Sequence, residues 1–112
     1  MQELLAAFPQ IDAVMCATDE IALGVADALK ESGRTGVKVY GVNGSPEAKA
    51  AIAGGDSPLQ GTGALSPIEI GQTAMDVCFA ILEEKEYESE TEVETFLINS
   101  ENVELYGTNG WQ

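Results

Sequence analysis

Short apolar runs alternate with helical patterns along this sequence, and the alternation restricts the possible folds more than any other feature. Residues 11–17 and 37–42 are too short for helices and are typical of strands buried on both faces. Residues 59–65 predict a third, weaker strand, because glycine is frequent there. Helical patterns occupy the neighbouring segments, at residues 2–8, 21–29, 47–53 and 66–84. Strands alternating with helices predict an α/β fold with right-handed crossovers between parallel strands.

Residues with capping chemistry mark the helix ends. Thr18 or Asp19 can cap the second helix, because a side-chain oxygen there accepts from amides that the first turn leaves unpaired. Ser45 can cap the third helix, with Pro46 at its first position. Gly33 stands where a left-handed residue closes the second helix. These signals support the helix assignments.

The C-terminal third is acidic and then irregular. Residues 83–94 predict a solvated, glutamate-rich loop, residues 94–99 a last strand, and residues 102–112 an irregular tail. The whole chain has 19 acidic and 5 basic residues, for a net charge of −14. Nucleic acids and anionic lipid surfaces require a basic patch, so the charge argues against both as partners.

The residue types needed for most catalytic and metal sites are missing from the sequence. The chain has no histidine, so a serine or cysteine nucleophile would lack its usual base. Cys16 and Cys78 lie in apolar surroundings, and we expect both to be buried free thiols. No phosphate-binding or calcium-binding motif is present. We therefore expect a protein that is not an enzyme, with no catalytic residue, cofactor or metal.

Polar residues follow each of the first three predicted strands. Thr18 and Asp19 follow the first, Asn43 the second and Ser66 the third. In parallel α/β sheets, ligands bind beyond the carboxyl ends of the strands. The same residue types also serve as caps and turns in the absence of any ligand. Both interpretations, a ligand site and local turn chemistry, remain open from the residues alone.

Six stretches in order resemble the C-terminal part of type I periplasmic binding proteins, the solute receptors of sugar ABC transporters. They are residues 8–14, 18–24, 31–34, 39–47, 51–55 and 66–71, and the tail at 102–112 is also similar. The resemblance implies two lobes, each a three-layer parallel sheet of the flavodoxin-like kind, which close on a solute. It implies that residues 1–112 are an incomplete C-terminal lobe, and that residues 66–94 cross back towards the N-terminal lobe.

The resemblance also implies a binding site, bordered by Thr18, Asp19, Asn43 and Leu65. The family often has asparagine where Thr18 stands, aspartate at Asn43 and glutamine at Leu65. Asn43 keeps polarity without charge, and Leu65 loses hydrogen bonding. A ligand with an apolar part, or a receptor that has lost its ligand, is therefore an alternative to a receptor for a simple sugar.

The function implied is that of a fragment of the substrate-binding protein of a bacterial ABC-type sugar transporter. Its partners would be a small sugar-like ligand and the transporter's membrane subunits, and the full-length protein would be extracytoplasmic, although no export signal is visible in the sequence. The alternative is the ligand-sensing part of a lac repressor family regulator, which would require a helix-turn-helix that is not in the sequence. Residues 44–47 and 110–112 favour the transport branch. Because an incomplete sheet exposes an edge, we expect a homo-oligomer.

Overall fold

The computed structural model describes residues 1–111, which form one four-stranded sheet with helices. The strands are β1 (Ala13–Met15), β2 (Lys38–Asn43), β3 (Leu59–Ala64) and β4 (Phe96–Asn99). The helices are α1 (Gln2–Ala7), α2 (Asp19–Glu31), α3 (Pro46–Gly54), α4 (Pro67–Leu82) and α5 (Val103–Tyr106). The predicted strands and the first four helices are confirmed. The prediction of an irregular tail is wrong for α5, whose Val103 is buried in the core.

The sheet has the order β1-β2-β3-β4, and its first three strands are parallel as predicted. The fourth strand runs antiparallel to β3, pairing Thr62 with Ile98. The parallel strands follow from the crossovers through α2 and α3. Between β3 and β4 the chain passes through α4 and the acidic loop, and this connection allows β4 to run in the opposite direction to β3. The predicted α/β class is confirmed, but the antiparallel β4 makes the sheet mixed rather than wholly parallel.

The helix caps form where the sequence predicted them. The hydroxyl of Thr18 accepts from the backbone N–H of Ile21 at 3.3 Å, and that of Ser45 accepts from Ala48 at 3.2 Å. Gly33 has a φ of +65° just beyond α2, the left-handed conformation that closes a helix. Because both capped helices begin directly after a strand, their starts lie at the carboxyl edge of the sheet.

The core lies on one face of the sheet. Its buried side chains come from the strands and from α1, α2, α3 and α5, and they include Leu5, Ala22, Leu29, Val39, Ala48, Ile52, Leu59, Ile98 and Val103. The opposite face carries Met15, which is 78 % exposed, and Leu97, which is 53 % exposed. Of the three layers that the sequence predicted, residues 1–111 thus provide the sheet and one layer of helices.

Helix α4 projects from this body and buries none of its residues. The radius of gyration is 17.8 Å, whereas a compact chain of this length has about 13 Å. The projection leaves Ile70, Met75, Phe79 and Leu82 exposed. It also exposes Cys78, so the expectation of two buried thiols is correct for Cys16 and wrong for Cys78. None of the helices within residues 1–111 is long and apolar enough to cross a membrane.

Candidate functional site

A cavity of about 580 Å³ opens at the carboxyl edge of the sheet. Strands β1 and β2 end there, and α2 and α3 begin there, so the cavity lies between two helix starts. Its lining residues are Thr18, Asp19, Glu20, Leu23, Asn43, Ser45, Glu47 and Trp111. This position matches the expectation that the polar strand exits meet at one edge.

Three of the four predicted site residues line this cavity, namely Thr18, Asp19 and Asn43. Leu65 is not among the lining residues. It lies beside them, because its backbone N–H donates to the carbonyl of Asn43 at 3.5 Å. Their shared location agrees with the predicted cleft border, while the ligand contacts of all four stay a prediction.

Asp19 is buried and holds the two helix starts together. Its side chain is 1 % exposed, and its Oδ2 accepts from the backbone N–H of Ser45 at 2.7 Å. Its Oδ1 lies against Gly41 on β2 and finds no hydrogen-bond partner among residues 1–111. Asp19 therefore joins the starts of α2 and α3 at the base of the cavity.

Asn43 adopts a backbone conformation that few non-glycine residues take. Its φ is +121°, and that of Gly44 is +70°. The turn is held by a buried hydrogen bond in which the backbone N–H of Gly44 donates to Oγ1 of Thr62 at 3.0 Å. Gly44 also lies so close to Ala64 that a side chain would not fit. Backbone conformations of this kind cluster at functional sites. In this turn, the positive φ determines the direction in which the Asn43 side chain leaves the backbone.

The cavity is rich in hydrogen-bond acceptors and contains no basic residue. Its carboxylates are those of Asp19, Glu20 and Glu47, of which Glu20 and Glu47 are exposed. The amide of Asn43 both donates and accepts. Such a lining repels anions and suits neutral ligands with many hydroxyl groups. Within residues 1–111, no three histidine, cysteine, aspartate or glutamate side chains are grouped so that they could hold a metal ion.

The predicted site left out five of the lining residues, namely Glu20, Leu23, Ser45, Glu47 and Trp111. Glu47 lies in the first turn of α3, two positions after the Ser45 cap, so the strand-exit rule could have included it. Trp111 belongs to the C-terminal tail, far along the chain from every other lining residue, and no spacing rule indicates its place.

Comparison with protein families identifies the family of this chain. The family model described as "Periplasmic binding protein domain" matches residues 1–86. The chain belongs to the periplasmic binding protein family. The resemblance predicted from six short stretches is therefore confirmed.

The similar proteins are solute receptors. The chain is 34% identical over 98 residues to the ribose import binding protein RbsB of Salmonella typhimurium, a match that covers 88% of this chain and 32% of that protein. It is 41% identical over 68 residues to the D-allose-binding periplasmic protein of Escherichia coli, covering 60% of this chain and 21% of that one. This periplasmic binding protein chain thus spans about a third of the length of RbsB.

Solved structures give the same result. An ABC transporter solute binding protein from Agrobacterium vitis with bound allitol superposes with a TM-score of 0.85 at 34% identity, over 93% of this chain and 37% of that one. A solute binding protein from Actinobacillus succinogenes with bound D-allose gives a TM-score of 0.85 at 26% identity, over 93% and 36%. These relatives are transport receptors rather than enzymes, and they give no support to the regulator alternative.

Proposed function

We propose that this chain supplies one wall of a sugar- or polyol-binding cleft in the solute receptor of a bacterial ABC-type transporter. The observation that carries the proposal is the cavity at the carboxyl edge, in which Thr18, Asn43, Glu47 and Trp111 lie together. Relatives that are similar to this chain are named for ribose and D-allose or hold allitol and D-allose. The cavity and the relatives therefore point to the same ligand class.

The chemistry of the lining suits hydroxyl groups. Exposed carboxylates of Glu20 and Glu47 can each accept from the hydroxyls of a sugar, and the amide of Asn43 can donate and accept at once. Leu65 adds an apolar group beside Asn43, which suits a ligand with an apolar part. Specificity would then come from a few placed polar groups in a partly apolar pocket, as in other small-molecule sites.

The proposed mechanism is closure of two lobes around the solute. A bound ligand stabilises the closed arrangement only when both lobes contact it. Residues 1–111 form a single wall, so we expect millimolar affinity for the chain by itself. In the complete receptor, the membrane subunits of the transporter would be the partners and the location would be extracytoplasmic. The hydroxyl groups of Thr18 and Ser45 in the cavity cap α2 and α3, where they accept from the backbone N–H groups of Ile21 and Ala48.

Amide proton–nitrogen correlation NMR during titration with D-allose and allitol tests the proposal. We expect saturable shifts at the lining residues with a millimolar Kd. Asn43→Gly keeps the positive φ and removes the amide, so it should weaken binding severalfold. Glu47→Ala should also weaken binding, and Glu31→Ala, at the far end of α2, is the matched control. Unchanged spectra at high ligand concentration, or equal affinities in all variants, would contradict the proposal.

We also propose that the chain associates with a second copy of itself. The uncovered sheet face exposes Met15 and Leu97, and α4 exposes Phe79 and Leu82. Exposed apolar patches often mark interaction sites. Strand β1 lies at the edge of the sheet, with backbone groups open to pairing. A second copy offers the same surfaces and can cover them reciprocally.

A further inference from the structure

Trp111 stands out among the cavity residues because it comes from the C-terminal tail. It is the single tryptophan of the sequence, and its side chain is 48 % exposed. Part of the indole therefore contacts the protein while part remains open at the cavity. The other apolar lining side chain is Leu23, on α2. Trp111 is thus the aromatic surface of a lining that is otherwise mostly polar.

The tail that carries Trp111 is held by a buried amine. Lys49 lies in the second turn of α3 with 0 % of its surface exposed, and its Nζ donates to the backbone carbonyl of Gly110 at 2.8 Å. Burial lowers the pKa of Lys49, because desolvation disfavours its charged form. A buried amine requires an acceptor, so the contact with the tail satisfies a group that would otherwise be destabilising.

The backbone of the tail is shaped for this contact. Gly110 has a φ of +97°, a conformation that L-residues rarely adopt, and a side chain there would meet no neighbouring atom. Glycine is therefore favoured at position 110 by the positive φ, and not by the close approach of a neighbouring atom. The turn at Gly110 directs its carbonyl to Lys49 while the next residue lies at the cavity.

We propose that Trp111 is a ligand-contacting residue of the sugar site, and that Lys49 is the positioning residue that holds the tail carrying it. This inference rests on the proposed function. The indole offers a flat apolar face, which none of the other lining side chains has, together with an N–H donor. A ring sugar presents a continuous face of C–H groups to such an indole, whereas an open-chain polyol does not hold one. Trp111 should therefore favour D-allose over allitol.

The positioning role can be measured without any ligand, since all tryptophan fluorescence comes from Trp111. Lys49→Met should raise acrylamide quenching and lower the emission anisotropy. Lys38→Met, at an exposed lysine on β2 outside the cavity, is the matched control. Circular dichroism establishes that each variant is folded. Equal quenching in Lys49→Met and the wild type would overturn the positioning role.

A second variant tests the same role in the event that Lys49→Met does not fold. Gly110→Ala leaves Lys49 intact and disfavours the positive φ, so it should release Trp111 in the same way. Gly71→Ala, in the exposed helix α4, is its control because a side chain there also meets nothing. If Gly110→Ala left quenching and anisotropy unchanged, the tail would not depend on this contact and the inference would fail.

The ligand contact is tested through the single indole N–H resonance. During titration with D-allose, we expect that resonance to shift together with the amides of Thr18 and Asn43. Trp111→Ala should weaken D-allose binding severalfold and allitol binding less. Shifts at Thr18 and Asn43 with a stationary indole would overturn the role of Trp111 and leave the proposed function intact. No shift at any lining residue would overturn both.

Discussion

Asp19 and Gly41 share one space between the ends of β1 and β2. The Oδ1 of Asp19 lies where the side chain of any other residue at position 41 would begin. The Oδ2 of the same carboxylate accepts from the backbone N–H of Ser45 at 2.7 Å. A glycine in β2 therefore admits the carboxylate that joins the start of α2 to the start of α3, and these helix starts form the cavity.

The fit between Asp19 and Gly41 predicts that Gly41→Ala destabilises the protein. The added methyl group would collide with a buried carboxylate that cannot move without losing its hydrogen bond, so we expect a loss of about 2 kcal/mol in the free energy of unfolding. Urea denaturation measures it. Gly63→Ala, on β3, is the control because a side chain there meets no atom within 4 Å. Equal stabilities of the two variants would contradict the prediction.

Asp19→Ala should also lower the free energy of unfolding, by about 2–3 kcal/mol, because the buried Ser45 N–H would lose a charged acceptor. Asp19→Asn keeps an acceptor oxygen and should lose less. Glu20→Ala changes an exposed neighbour on the same helix turn and should change stability by under about 0.5 kcal/mol. If Asp19→Ala were as stable as Glu20→Ala in urea denaturation, Asp19 would have no structural role.

Much of the fold was predictable because its signals are local. The runs at 11–17 and 37–42 contain β1 and β2, and Thr18 and Ser45 cap the helices that follow. Caps and strand exits act within a few residues, so a single sequence contains them. The parallel order then brings Thr18 and Asn43 to one edge, as the topology requires.

The rest depends on contacts between distant parts of the chain. The sequence predicts Asp19 as a possible helix cap and cleft residue, but its burial depends on the space beside Gly41, a residue on another strand. Cys78 lies on an apolar stripe that predicts burial, but α4 buries none of its residues within residues 1–111. Trp111 lies at the cavity next to Gly110, whose carbonyl accepts from Lys49, a residue 61 positions earlier in the chain. Sequence periodicity describes which face is apolar, and it does not say whether a partner surface exists.

Because the thiol of Cys16 is buried, we expect the protein to lose stability in alkaline solution. Burial raises the pKa of its thiol from the ordinary value of 9.0, because desolvation disfavours the thiolate. The unfolded state then releases its proton first, so this contribution is fully present below pH 9.0 and is lost as the pH rises through the folded-state pKa. Cys16→Ala removes the contribution. Urea denaturation at several pH values should show the wild type losing stability relative to Cys16→Ala above pH 9, and a constant difference would contradict this.

Self-association should depend on the exposed apolar surfaces and on salt. Light scattering should give a mass above that of one chain at high protein concentration. The net charge of −14 repels copies from one another, so added salt should strengthen association by screening.

Charges placed on the two exposed surfaces test which of them forms the contact. Phe79→Glu on α4 and Leu97→Glu on the open sheet face should each shift the mass towards that of one chain, because an ionised carboxylate resists burial in an apolar interface. Leu105→Glu is the control, since Leu105 is 85 % exposed and belongs to α5 rather than to α4 or the sheet. A single-chain mass for the wild type at high concentration and high salt would exclude self-association. Association that survived both substitutions would instead assign the contact to the backbone edge of β1, where pairing needs no apolar side chain.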